Sequence, residues 1–223
     1  MTIRQASSAI AVGLFAVASL AAWKAAEANG SVRYEPDTAS SQLIVEGTST
    51  IHDWTVEGHL IRGELLFQDI EPASLWTHAN PFPRSLGVTV HVEIPVDSLK
   101  SDNHGLNRRM YEALKADTHP TMTYRLERAE IRIGQTADEG GSGGSLIVET
   151  TGMLTVAGVD RTVDIPMQVT RRPGDGLEVS GETSLRMTEF GIEPPRAMLG
   201  FLRTGDTVHV QWTWVLARGR TDQ

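Results

Sequence analysis

The chain has no cysteine in 223 residues. That excludes disulfides, thiolate metal sites, a cysteine nucleophile and a lipidated cysteine anchor. Cations are also in short supply, 20 Lys and Arg against 28 Asp and Glu, for a formal net charge of −8. Positions 4, 24 and 27 carry a net +1, which leaves −9 on the rest of the chain. Binding a phosphate backbone needs clustered Lys and Arg. The densest basic spots here are the pairs Arg108-Arg109 and Arg171-Arg172. Nucleic acid is therefore not an expected partner, and an anionic membrane surface is disfavoured for the same reason.

Catalytic and metal-binding signatures are missing as well. The seven histidines never fall as H-x-x-x-H or H-x-H, the spacings that place two ligands on one face of a helix or strand. There is no G-x-S-x-G nucleophile elbow. His52-Asp53 could hold an imidazole for proton chemistry, but closing a turn before Trp54 is the favoured reading. His91 and His209 fall on the polar parity of strand-like runs and read as solvated. No cofactor, no metal and no enzymatic activity are expected.

A long hydrophobic run is almost absent too. The one candidate, Ala9 to Trp23, is short of the ~20 residues a spanning helix needs. Arg4 precedes it, and Ala26-Glu27-Ala28 follows as an A-x-A cleavage site. The expectation is a cleaved signal peptide over 1–28 and one mature domain over 29–223. That domain would be periplasmic or secreted, with no stable membrane insertion after cleavage. An exported domain without disulfides must be held by its own core, and its length suffices for one.

What fills the mature chain is alternation. Val163, Ile165, Met167 and Val169 form one period-two run; Leu177, Val179 and Leu185 belong to the next; Val208, Val210, Trp212, Trp214 and Leu216 form the last. Val88, Val90, Val92 and Ile94 make another. Such strands have one apolar and one polar wall. Many of them without intervening helices predict a closed antiparallel sheet. Further strands are expected at Ser31–Pro36, Gln42–Val45, Asp53–Gln68, Thr121–Ile133 and Ser145–Val156. The apolar parity switches near Gly58, which predicts a bulge or bend. The total is eight or nine strands. Glu71 to Arg84, with three prolines, reads as a long surface loop, and Asp138 to Ser145 as a solvated glycine-rich hairpin loop.

Two segments break the pattern. Leu106, Met110 and Leu114 recur at helical spacing between Asp102 and Lys115, with Asp102 or Asn103 as N-cap. This is the one convincing helix, and it reads as a lid or plug on the sheet. Met187 to Leu202 is apolar but interrupted by Pro194-Pro195 and two glycines, so it is neither strand nor regular helix. It reads as a cap over the core, the mouth of a pocket, or both.

The ordered set of local motifs resembles one family. Ser49-Thr50-Ile51-His52-Asp53-Trp54, then Asn107-Arg108-Arg109-Met110-Tyr111, then His119-Pro120-Thr121-Met122-Thr123-Tyr124 look like the YceI-like family. Gly152-Met153-Leu154-Thr155-Val156-Ala157-Gly158-Val159 and Thr204-Gly205-Asp206-Thr207-Val208 resemble its later strand-turn and closing strand. The resemblance implies an all-β, extended antiparallel lipocalin-like barrel of about eight strands with one short helix. It also implies an isoprenoid-like or similar long-chain amphiphile held inside. Separately from the resemblance, a second copy of the chain, as a homodimer, is kept open as a partner. An eight-stranded barrel is just wide enough to be packed solid or to hold one slender chain. The two readings are thus a lipid-binding carrier and a non-catalytic, structural or stress-related module with a filled barrel. The candidate lining residues are Trp54, Met110, Met187, Phe190, Met198, Phe201, Trp212 and Trp214.

Overall fold

The computed structural model describes residues 31–76, 86–135, 145–197 and 202–219. The expected leader, the glycine-rich loop, the second part of the Glu71–Arg84 loop, Met198 and Phe201 lie outside the described residues.

Among the described residues there are eleven strands and one α-helix: β1 (Val32–Pro36), β2 (Gln42–Ser49), β3 (Trp54–Gly58), β4 (Arg62–Phe67), β5 (Val88–Pro95), α1 (His104–Ala113), β6 (Thr121–Gln135), β7 (Ser145–Val156), β8 (Val159–Arg172), β9 (Gly176–Arg186), β10 (Arg196–Ala197) and β11 (Leu202–Arg218). The sheet runs β1-β4-β5-β6-β7-β8-β9-β11 and closes because β1 also pairs with β11. Every strand pairing is antiparallel. The result is an eight-stranded barrel extended by β2 and β3.

The count exceeds the expected eight or nine because the Asp53–Gln68 run is broken into β3 and β4 and because the two-residue β10 pairs with β11; the break between β1 and β2 was expected. β11 carries β2 along its first half (Val210 opposite Val45, Trp212 opposite Leu43) and β1 along its last residues (Tyr34 opposite Arg218). Between β1 and β2 the chain leaves the ladder in a tight turn. The Asp37 carboxylate accepts from the Ala39 amide and the Ser40 hydroxyl. Buried Ser41 takes over the ladder: its hydroxyl accepts the Val215 N–H at 3.0 Å and donates to the Asp37 carbonyl at 2.7 Å. Side-chain bonds thus replace the ladder bonds that the turn removes, as buried backbone groups require.

The second break, between β3 and β4, falls where the apolar parity changes. Trp54 and Val56 face inward before it; buried Ile61, Leu65 and Phe67 face inward after it. Three residues out of the ladder flip the parity by one. Gly63 continues the bend with φ +128°, and a Cβ there would collide with the His91 carbonyl oxygen.

One end of the barrel is closed. Tyr34 meets Phe67 edge to face at 5.9 Å, packed in one cluster with Ile131, Leu177 and Leu216. The segment expected as pure surface loop begins instead with a 3₁₀ turn, Pro72–Trp76, that buries Pro72 and Leu75. Its preceding residue, Glu71, takes a bidentate pair from Arg218 at 3.0 and 3.1 Å, and Arg171 lies 5.8 Å over the Trp76 ring.

The other end carries α1. The Asn103 side chain caps it, accepting from the Gly105 and Leu106 amides at 2.9 and 3.1 Å. The one buried residue of α1 is polar: Asn107 accepts from the Ser101 amide and hydroxyl and donates to the Ser101 carbonyl. Tyr111 adds a bond to the Leu99 carbonyl at 2.7 Å. The helix is therefore tethered by hydrogen bonds to the 99–101 segment, while its apolar stripe faces the barrel interior.

Candidate functional site

The interior between these two ends is hollow. The centre of a water molecule can range through about 370 Å³ of it. The floor is set by Phe67, Leu75 and Leu146. The wall includes the inward face predicted for β5, namely Val88, Val90, Val92 and Ile94, together with Met167 and Val169 of β8 and Val208 and Val210 of β11. The cover is Leu106, Met110, Ala113 and Leu114 of α1 with Phe190, Ile192 and Pro195 of the irregular segment. The Met187–Phe190 stretch is a 3₁₀ turn stopped by Gly191 in the left-handed region, φ 65°. That turn drives Phe190 and Ile192 into a small cluster with Ala157, against which Ala113 and Leu114 pack. The segment is therefore both cap and wall.

Six of the eight candidate residues line the cavity: Trp54, Met110, Met187, Phe190, Trp212 and Trp214. Two of the indoles are seated on glycine. A Cβ on Gly47 would run into the Trp54 ring, and one on Gly181 into the Trp212 ring. In each case the missing side chain makes room for an aromatic plate lying against the strand.

The lining is hydrocarbon with few polar exceptions. Tyr124 donates to the Thr150 hydroxyl at 3.1 Å, which donates to the Ile165 carbonyl at 2.7 Å, so this buried relay is satisfied within the wall. Burial pushes the Tyr124 phenol up from its ordinary value, against the smaller opposing effect of the Thr150 bond, and it stays a neutral donor. The Trp54 and Trp214 indole N–H groups have no partner among the described residues. Arg109 and Arg186 are the two charged lining residues; they are also the two exposed ones, and so mark the mouth.

Sequence reasoning missed the two arginines, Leu75 and the Tyr124–Thr150 relay. The arginines carry no distinguishing local signal. Leu75 was hidden in a proline-rich stretch without period.

The histidines do not assemble into a site. His52 is exposed in a turn closed by Ser49, whose hydroxyl donates to the His52 carbonyl at 2.6 Å. His59 Nδ1 lies 2.9 Å from the Ser41 carbonyl, and exposed His209 Nδ1 lies 3.0 Å from the Ser184 hydroxyl. Among the described residues no three His, Cys, Asp or Glu side chains come together as a metal site, and no helix is long and apolar enough to cross a membrane.

Two solved structures share the architecture. A crystal structure of BcnA from Burkholderia cenocepacia aligns at TM-score 0.58 and 16% identity, over 81% of this chain and 99% of that one. A polyisoprenoid binding domain from Saccharophagus degradans, implicated in plant cell wall breakdown, aligns at TM-score 0.61 and 16% identity, over 83% and 98%. At that identity the likeness is one of fold. No curated protein matches the chain in sequence. The YceI-like domain model matches residues 34–216, and with the closed barrel, helix α1 and the hollow interior in place, the chain belongs to the YceI-like family.

Proposed function

We propose that this protein is an exported, non-catalytic carrier that holds one long apolar chain, isoprenoid-like, lengthwise in the barrel. The observation that carries the reading is the continuous hydrocarbon-walled cavity of about 370 Å³ between the Leu75 floor and the α1 cover. A barrel acting only as a scaffold has no use for such a void, because each unfilled site forfeits packing energy. The polyisoprenoid binding domain from Saccharophagus degradans supports the ligand class by its shared fold, and the leader pattern over 1–28 supports export.

The energetics are adequate. Burying 12–16 chain carbons gains roughly 10–13 kcal/mol at about 0.8 kcal/mol per methylene. Subtracting ~4 kcal/mol, the low end of association costs, leaves an affinity around micromolar. The deciding experiment is native mass spectrometry on protein extracted mildly from its own cell envelope. A lipid-sized adduct is expected. A clean apo mass, with no uptake of added prenyl lipid, overturns the reading.

A further inference from the structure

The cavity's charged groups say something about its ligand beyond the apolar chain, and this inference rests on the reading just given. Of all the described lining residues only Arg109 and Arg186 carry charge; both are cationic, and no carboxylate lines the cavity. The asymmetry runs against the chain as a whole, which has a formal net charge of −8. The two arginines are not equivalent. Arg186 is already engaged, its Nε donating to Glu189 at 3.0 Å, with the Asp206 carboxylate also in its field. Arg109 sits on α1 beside Met110, one residue after Arg108, which takes the Glu112 carboxylate at 4.0 Å. Arg109 itself has no anionic partner among the described residues. A guanidinium at the rim of an otherwise hydrocarbon cavity is matched by an anion at the end of the chain inside.

We infer that the ligand is an amphiphile with a single anionic head, carboxylate or phosphate, seated on Arg109 at the mouth while its apolar tail fills the barrel. Arg109 thereby fixes the direction of entry, tail first, and discriminates between chains that the apolar wall cannot tell apart. Because Arg109 is exposed, its contribution is screened by salt.

The test uses one tail with different heads: farnesoic acid, farnesyl monophosphate and farnesol, titrated into the delipidated mature protein by calorimetry at pH 7.5 and low ionic strength. The wild type is expected to bind an anionic form about three- to tenfold more tightly than the alcohol. That ratio should shrink toward one in Arg109→Gln, persist in Arg109→Lys, and fall with added salt. The carboxylate and phosphate arms identify which head is preferred. A wild-type ratio near one overturns the head assignment while leaving the carrier reading intact. A preference that survives in a folded Arg109→Gln overturns the role given to Arg109. Failure of all three compounds, and of longer prenyl chains, overturns the carrier reading and this inference with it.

Discussion

Ala129 lines the cavity near its floor, is 3% exposed, and belongs to the same buried cluster as Leu75 and Phe67. Its carbonyl accepts the Leu86 N–H at 3.2 Å, which holds this part of β6 against the start of β5. Replacing it with Phe places a ring of six carbons into space that the proposed chain occupies. For wild type, affinity should rise about fourfold per added methylene, the factor equivalent to ~0.8 kcal/mol. The rise should stop when the tail reaches the Leu75 floor. In Ala129→Phe the same slope is expected at short lengths, but the plateau should arrive about four to six methylenes earlier, the length the ring displaces at comparable volume. Stability should change by no more than ~1–3 kcal/mol, because the ring enters a void rather than a packed core. Calorimetric titration of a homologous series of straight-chain alkanols reads both slope and break, and thermal unfolding checks the fold. An affinity independent of chain length, or an unshifted break in a folded variant, would refute the idea that the tail lies along the barrel down to the floor.

Three further outcomes follow from particular contacts. Tyr124→Phe removes the first donor of the buried relay but orphans little, and should cost about 0.5–1.5 kcal/mol; Thr150→Val strands both the Tyr124 hydroxyl and a bond to the Ile165 carbonyl and should cost about 1–3 kcal/mol more than an isosteric swap alone, so chemical denaturation showing the reverse order would contradict the relay. The Thr188 hydroxyl and amide donate to Asp206 at 2.7 and 2.9 Å and hold its carboxyl below the usual carboxylate range. A depressed folded-state pKa means the stabilisation is complete above about pH 4 and is lost as pH falls through the folded value. The melting-temperature advantage of wild type over Asp206→Asn should therefore be flat from about pH 5 to 7 and shrink as pH falls below about 4; an advantage that grows on acidification would reverse the sign. Gly63→Ala meets both a forbidden φ and the His91 carbonyl and should cost on the order of 3 kcal/mol or more, whereas Gly174→Ala, at φ 74° with open space around it, should cost only about 1 kcal/mol; equal losses in urea unfolding would show that the bend at Gly63 is not tight.

The amino-acid sequence by itself determined the barrel's strands and which wall of each is apolar, because side-chain direction along a strand has period two and burial follows it. Val88 to Ile94 and Val208 to Trp214 were legible as inward faces for that reason, and the helix at Leu106 to Leu114 was legible from its different period. The bend near Gly58 was visible as a parity change. Its size was not, since the ladder is kept whole around the barrel's two breaks by long-range bonds such as Ser41 to Val215. Only the tertiary structure decided whether the inward faces interlock or stand apart. That depends on the strand number and closure of the barrel and on what plugs its ends, and Leu75 reaches the floor through a turn that has no periodic signal. It also placed Arg109 and Arg186, far apart along the chain, at one mouth, an arrangement set by how α1 lies across the barrel end rather than by any pattern in neighbouring residues.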